Sequence, residues 1–92
     1  WTEGDDVKYL DILYFAWVRE ATGIDGEQIA HPGAETTVGE VVTMLASRSA
    51  GHAVALGEPE RLRAALDQRF VAMDMPIGEA QELALFPPVT GG

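Results

Sequence analysis

Thr37-Val38-Gly39-Glu40-Val41-Val42-Thr43-Met44-Leu45 decides the fold of this chain. A threonine stands just before an aliphatic run and a glutamate follows three residues later. At that spacing a hydroxyl and a carboxylate satisfy two of the amides left open at a helix start. Val38, Val41, Val42 and Leu45 recur at intervals of three and four, so one face of the helix is apolar and must be buried. The pattern loosens from Ser47 to Gly51, which places the helix end near Ser49. Such a helix needs a second apolar layer to lie on, and the segments on either side supply it.

Upstream, Val7 to Phe15 is dense in apolar and aromatic residues and reads as a strand. Ala16 to Ala21 reads as a short helix stopped at Thr22-Gly23, where glycine takes the left-handed cap conformation. Glu27 to His31 is a brief strand closed by Pro32-Gly33. Downstream, Gly51 to Glu60 reads as a loop and Pro59 to Ala65 as a short helical segment with proline in its first turn. Leu66 to Met73 alternates as one strand, Asp74 to Ala80 is a turn region, and Glu82 to Phe86 is a final strand ended by Pro87-Pro88. This order predicts an α+β fold of the ubiquitin-like β-grasp type, a mixed sheet of about four to five strands with one main helix packed across it. The expected core sets Val38, Val41, Val42 and Leu45 against Ile12, Tyr14, Phe70 and Leu85.

The 92 residues suffice for one core. Residues 1–6 are set aside as an N-terminal extension or cloning-derived residues, 7–86 form the folded domain, and 87–92 form an extended tail. Fifteen acidic against six basic residues give a net charge of -9, which repels nucleic-acid backbones and anionic membranes and favours a partner with a basic docking face. With no cysteine, the chain has no disulfide, no thiolate metal ligand and no thiol relay of its own. Its first residues lack a basic, then apolar, targeting pattern, so a cytoplasmic location is the expectation.

The chemistry concentrates in Phe86-Pro87-Pro88-Val89-Thr90-Gly91-Gly92. Two prolines stiffen the exit from the last strand, and two glycines leave a tip that is backbone alone. Six residues from Pro87 reach about 20 Å when extended, enough to enter a deep pocket of a partner. Phe86, Pro87 and Pro88 are the expected docking residues, and Val89, Thr90 and Gly91 the tail residues that enter a partner's channel. His31 and His52 stand apart in sequence and read as exposed or capping residues rather than metal ligands. Ser47, Ser49 and His52 lack the setting of a hydrolase triad, and Arg19 and Glu20 read as solvated charges.

Leu13-Tyr14-Phe15-Ala16-Trp17-Val18-Arg19-Glu20 with Gly23, the mid-chain helix and the terminal heptapeptide together resemble the sulfur-carrier small subunits of molybdopterin synthase, the MoaD/ThiS family. The resemblance spans nearly all of residues 7–92. It departs at Asp67, where asparagine is common, and at Gly78-Glu79-Ala80-Gln81-Glu82, where an Asp-Gly-Asp-type turn is usual. It implies that the Gly92 carboxyl is adenylated by a ubiquitin-activating-like adenylyltransferase that consumes ATP, and is then converted by a sulfur donor to a thiocarboxylate. It further implies delivery of that sulfur, inside a heterotetramer with the large synthase subunit, to a pterin precursor of the molybdenum cofactor. The chain would then be a non-catalytic subunit of a sulfurtransferase with no permanently bound cofactor and no metal. A ubiquitin-like modifier forming isopeptide bonds through Gly92, and a carrier for thiamin, cysteine or tRNA thiolation, are the alternatives that share this tail.

Overall fold

The computed structural model describes residues 8–88. In chain order these form β1 (Tyr9–Tyr14), α1 (Ala16–Thr22), β2 (Gly26–Ala30), α2 (Val38–Ala46), α3 (Ala50–Leu56), a 3-10 turn at Pro59–Arg61, β3 (Arg63–Leu66), β4 (Arg69–Val71) and β5 (Glu82–Phe86). The capping signal is realised in full. Thr37 Oγ1 accepts the Glu40 amide at 3.1 Å, and the Glu40 carboxylate accepts the Thr37 amide at 2.9 Å. Val38, Val41, Val42 and Leu45 are then all buried against the sheet.

The strands lie in the order β2-β1-β5-β3-β4. β1 runs parallel to β5, and the other three pairings are antiparallel, so the sheet is mixed and its last strand is central. Leu10, Ile12 and Tyr14 of β1 and Leu83 and Leu85 of β5 share one face with the helices. The alternate residues, half-buried Leu13 and the small, buried Ala84 and Ala65 among them, point to the opposite face, which no helix covers, because successive side chains of a strand point to opposite sides. α1 and α3 pack closely: a side chain at Gly51 would strike the Ala21 carbonyl oxygen, which explains the glycine there. Gly23 caps α1 at φ 84°, as its position predicts.

Five expectations are corrected. The region 51–60 is not a loop, because Ser49 accepts the His52 amide and starts α3 there, while α2 ends already at Ala46. The helical segment expected at 59–65 is a single 3-10 turn, and β3 begins at Arg63. The strand expected over 66–73 is a hairpin whose turn is Asp67-Gln68, with φ of 48° and 72°. The apparent alternation ran across that turn, and the reversal puts Phe70 on the open face, 81% exposed, instead of in the core. The two departures from the family pattern meet here, because Asp67 Oδ1 accepts the amides of Gln81 and Glu82 and ties the hairpin turn to the entry of β5.

Val42→Asp should destabilise the domain by about 3 to 5 kcal/mol or prevent folding, because it puts an unpaired charge between α2 and the sheet. Thermal unfolding reads this, and a melting temperature within a degree of the parent would exclude Val42 from the core. Gln68→Gly should have the opposite effect, a gain of about 1 kcal/mol in urea unfolding, because Gln68 pays for a left-handed backbone that glycine adopts freely.

Candidate functional site

Proline has no amide proton, so the ladder on β5 cannot continue past Phe86, where Pro87 and Pro88 begin. The last rungs are firm: Arg63 stands opposite Phe86, and the Phe15 amide donates to the Leu85 carbonyl at 3.2 Å. The tail therefore leaves from a strand held on both sides. Of the residues expected to act in a partner, Phe86, Pro87 and Pro88 belong to the described structure. Val89, Thr90, Gly91 and Gly92 lie outside the described residues.

Beside this exit the open face carries an apolar band. The register places Leu13 opposite Ala84, Ala84 opposite Ala65, and Ala65 opposite Phe70, so the band crosses four strands. Phe70 and Phe86 pack ring to ring at 5.6 Å and line a cleft of about 220 Å³ with Arg63, Ala64 and Val71. Phe15, 45% exposed, follows Leu13 by alternation on the same face. A grouping of exposed aromatics at one place is the signature of an interaction surface. The next rung, Gln28, Asp11 and Glu82, is polar and acidic. Phe70 is the exposed aromatic that sequence reasoning placed in the core, because the turn at Asp67-Gln68 before it was read as part of a strand.

The helix side of the same sheet holds a polar cluster invisible in the sequence. Glu27, with 14% of its side chain exposed, accepts the Tyr14 hydroxyl at 2.6 Å, His52 Nε2 at 2.7 Å and Arg48 Nε at 3.0 Å. Ser49 Oγ lies 2.7 Å from His52 Nδ1 and accepts the His52 amide. Neutral His52 satisfies this arrangement with its proton on Nε2, the serine hydroxyl donating to Nδ1. His52 is thus buried rather than exposed, and Ser49 is committed to starting α3, so the Ser-His-Glu chain is a clamp. His31 Nδ1 accepts the Gly33 amide at 3.1 Å. Arg19 is exposed, 3.8 Å from Asp25, and Glu20 is exposed as well. Among the described residues no group of three His, Asp or Glu is placed to hold a metal ion, and no helix is long and apolar enough to cross a membrane.

Burial opposes ionisation of Glu27, but the hydrogen bonds from Tyr14 and His52 and the charge of Arg48 outweigh it and hold the carboxyl below its ordinary value. Burial, and then the hydrogen bond to Glu27, push the Tyr14 phenol up.

A β-grasp sheet whose central last strand runs out into a proline-stiffened Gly-Gly ending defines the ubiquitin-like carrier class. Residues 12–92 match the ThiS family, and the chain belongs to it. It is 40% identical over 83 residues to the molybdopterin synthase sulfur carrier subunit of Escherichia coli (strain K12), covering 90% of this chain and 99% of that protein. The solution structure of the Haloferax volcanii protein HVO 2177 superposes with a TM-score of 0.70 at 26% identity, covering 94% of this chain and 88% of that one. A chain in the complex of subunits 1 and 2 of the molybdopterin-converting factor from Helicobacter pylori 26695 has the same fold, with a TM-score of 0.56 at 20% identity over 91% of this chain and 99% of that one.

The Glu27 clamp predicts a pH dependence. A carboxyl whose folded value is depressed contributes stability that is present above its ordinary value of 4.5 and is lost as pH falls through the folded value. Glu27→Gln should cost about 2 kcal/mol in urea unfolding at neutral pH, with the gap from the parent closing in acid. A gap constant with pH would mean that the carboxylate charge contributes nothing.

Proposed function

We propose that this chain is the sulfur-carrier subunit of a molybdopterin synthase and that the Gly92 carboxyl is its working group. The observation that carries the reading is the ending Phe86-Pro87-Pro88-Val89-Thr90-Gly91-Gly92, placed at the exit of a central strand in a chain 40% identical to a carrier of that function. A carboxylate is a poor acyl donor until its oxygen joins a good leaving group. An adenylyltransferase partner resembling the ubiquitin-activating enzymes supplies that group from ATP, forming the Gly92 acyl-adenylate and releasing pyrophosphate. A sulfur donor then displaces AMP and leaves a thiocarboxylate. The large synthase subunit receives the tail, with Val89, Thr90 and Gly91 in its channel, and the sulfur passes to a pterin to build the dithiolene. The chain is not an enzyme alone, and its place is the cytoplasm.

The two parts divide the work. Glycines bring little surface to a complex, so affinity comes from the body: Phe86, Pro87 and Pro88 with Phe70, Phe15 and the Leu13-Ala84-Ala65 band. Because Asp11 and Glu82 border that band, the fitting partner face has an apolar centre and basic residues on that side.

Intact mass tests the reading. With the adenylyltransferase, ATP and a sulfur source, the chain should gain the difference between sulfur and oxygen, and fragmentation should put it on Gly92. Adding the large subunit and pyranopterin should return the mass and yield dithiolene, whereas lysine-linked conjugates would support the modifier alternative. Deleting Gly92 should abolish product with the melting temperature unchanged. Gly91→Val should keep the carboxyl yet reduce turnover by roughly a hundredfold, since a β-branched side chain both adds bulk and stiffens the tip. Dithiolene formed at the parent rate without Gly92 would refute the proposal.

A further inference from the structure

β4 is three residues long and stops at Val71, after which the chain leaves the sheet toward the start of α2. The first amides of α2 take it up: Val38 donates to the Met75 carbonyl at 3.0 Å and Gly39 to the Met73 carbonyl at 2.7 Å. Glycine permits that approach, since a Cβ at Gly39 would stand 3.3 Å from the Met73 oxygen. Two hollows flank Met73 as a result. One, of about 530 Å³, lies between Met73, Pro59 and the α2 residues Gly39 and Thr43. The other, of about 290 Å³, lies between the same Met73 and Pro59 and the group Leu62, Ala64 and Val71. Because both hollows are bounded by Met73 and Pro59, they are two ends of one groove. Leu62 and Ala64 belong to the core and Met73 packs on it, while Val71 alternates with Phe70. The groove therefore opens on the helix side of β4, away from the exposed Phe70 ring.

The groove has an apolar floor and an acidic border. Glu40 and Asp74 border the first hollow and Glu60 the second, and all three are exposed. Among the described residues none of the three is paired with a basic side chain. Arg63 also borders the second hollow, but its guanidinium donates to the Leu62 carbonyl at 2.9 Å. Exposed charges add little affinity each, so an occupant is held by apolar contact, and the carboxylates select its sign and orientation. Methionine suits such a floor, because its unbranched side chain adapts to the group laid on it. A second copy of this chain would bring a net charge of -9 against the same carboxylates, and nucleic acid or an anionic membrane is repelled in the same way. The chemistry that fits is a segment of another protein with an apolar centre and lysine or arginine on either side.

We propose that the groove between α2, the 3-10 turn and residues 72–74 is a second docking surface, which takes a basic, apolar-centred peptide segment of another protein on Met73 and Pro59 and orients it by Glu40, Asp74 and Glu60. It holds whether or not Gly92 carries sulfur, since nothing in the groove belongs to the tail or to the Phe70-Phe86 band.

The test follows the backbone amides of the full, isotope-labelled chain by NMR as a synthetic peptide is added, one with two central leucines flanked by lysines. The shifts should saturate and centre on Gly39, Thr43, Ala72 and Met73. Replacing the leucines by serines should weaken binding roughly tenfold, and replacing the lysines by glutamates should abolish it. Thr43→Arg, which puts bulk and positive charge over the first hollow from an exposed helix position, should weaken binding roughly tenfold. Asp74→Lys should weaken it roughly fivefold, whereas Glu20→Lys, the same change of net charge on α1, should leave it within twofold of the parent. Each variant is checked for an unchanged melting temperature. Equal losses in Asp74→Lys and Glu20→Lys would reduce the effect to overall charge and overturn the proposal. So would shifts scattered over the acidic surface or centred on Phe70 and Phe86, or no saturable shift at millimolar peptide. Shifts at the same groove amides on concentrating the chain alone would make a second copy the occupant and refute it equally.

Discussion

The parallel pairing of β1 with β5 is the constraint on which the rest of the molecule depends. Two strands that run the same way cannot be joined by a tight turn, so the chain between β2, beside β1, and β3, beside β5, must cross over one face of the sheet. α1, α2 and α3 all contribute to the one core on that face, and the opposite face is left open. The same pairing puts the chain's last strand between β1 and β3 rather than at an edge. The backbone is therefore paired on both sides up to Phe86, and the ladder stops at the first proline.

How much of this was legible depended on whether the signal was local. The α2 start was readable because a capping box is four residues long, and Glu82 to Phe86 because prolines punctuate its end. The hairpin at Asp67-Gln68 was missed because two left-handed residues without glycine carry little turn signature, and the alternation seemed to continue through them. α3 was missed because Ala50–Leu56 is short and its glycine, which reads as a loop residue, is there for close packing on α1. The C-terminal heptapeptide was fully legible as a motif, whereas the apolar band beside its root was only partly so. Leu13, Ala65, Phe70 and Ala84 are brought onto one face by strand register, which no single segment encodes.

The Glu27 clamp was legible nowhere, since its carboxylate and imidazole are 25 residues apart, and its presence in so small a core needs a physical reason. An ionic group in the interior rarely adds stability over a well-packed apolar one, because desolvation offsets most of the attraction. Its hydrogen bonds do have direction, which apolar contact lacks. α3 has seven residues, too few to be helical alone, and buries only His52, Ala55 and Leu56, so packing by itself would leave its rotation over the sheet poorly defined. His52 Nε2 on one Glu27 oxygen and Arg48 on the other fix that rotation at two points, while Ser49 caps the helix start. The fourth member, Tyr14, extends the effect to the other end of the argument. It is the last residue of β1, it faces Leu85 across the parallel pairing, and the next amide, Phe15, holds the Leu85 carbonyl. A loosened clamp therefore acts first on the strand that supports the tail's root, which is why a carboxylate on the helix side of the sheet bears on a terminus that leaves from its central strand.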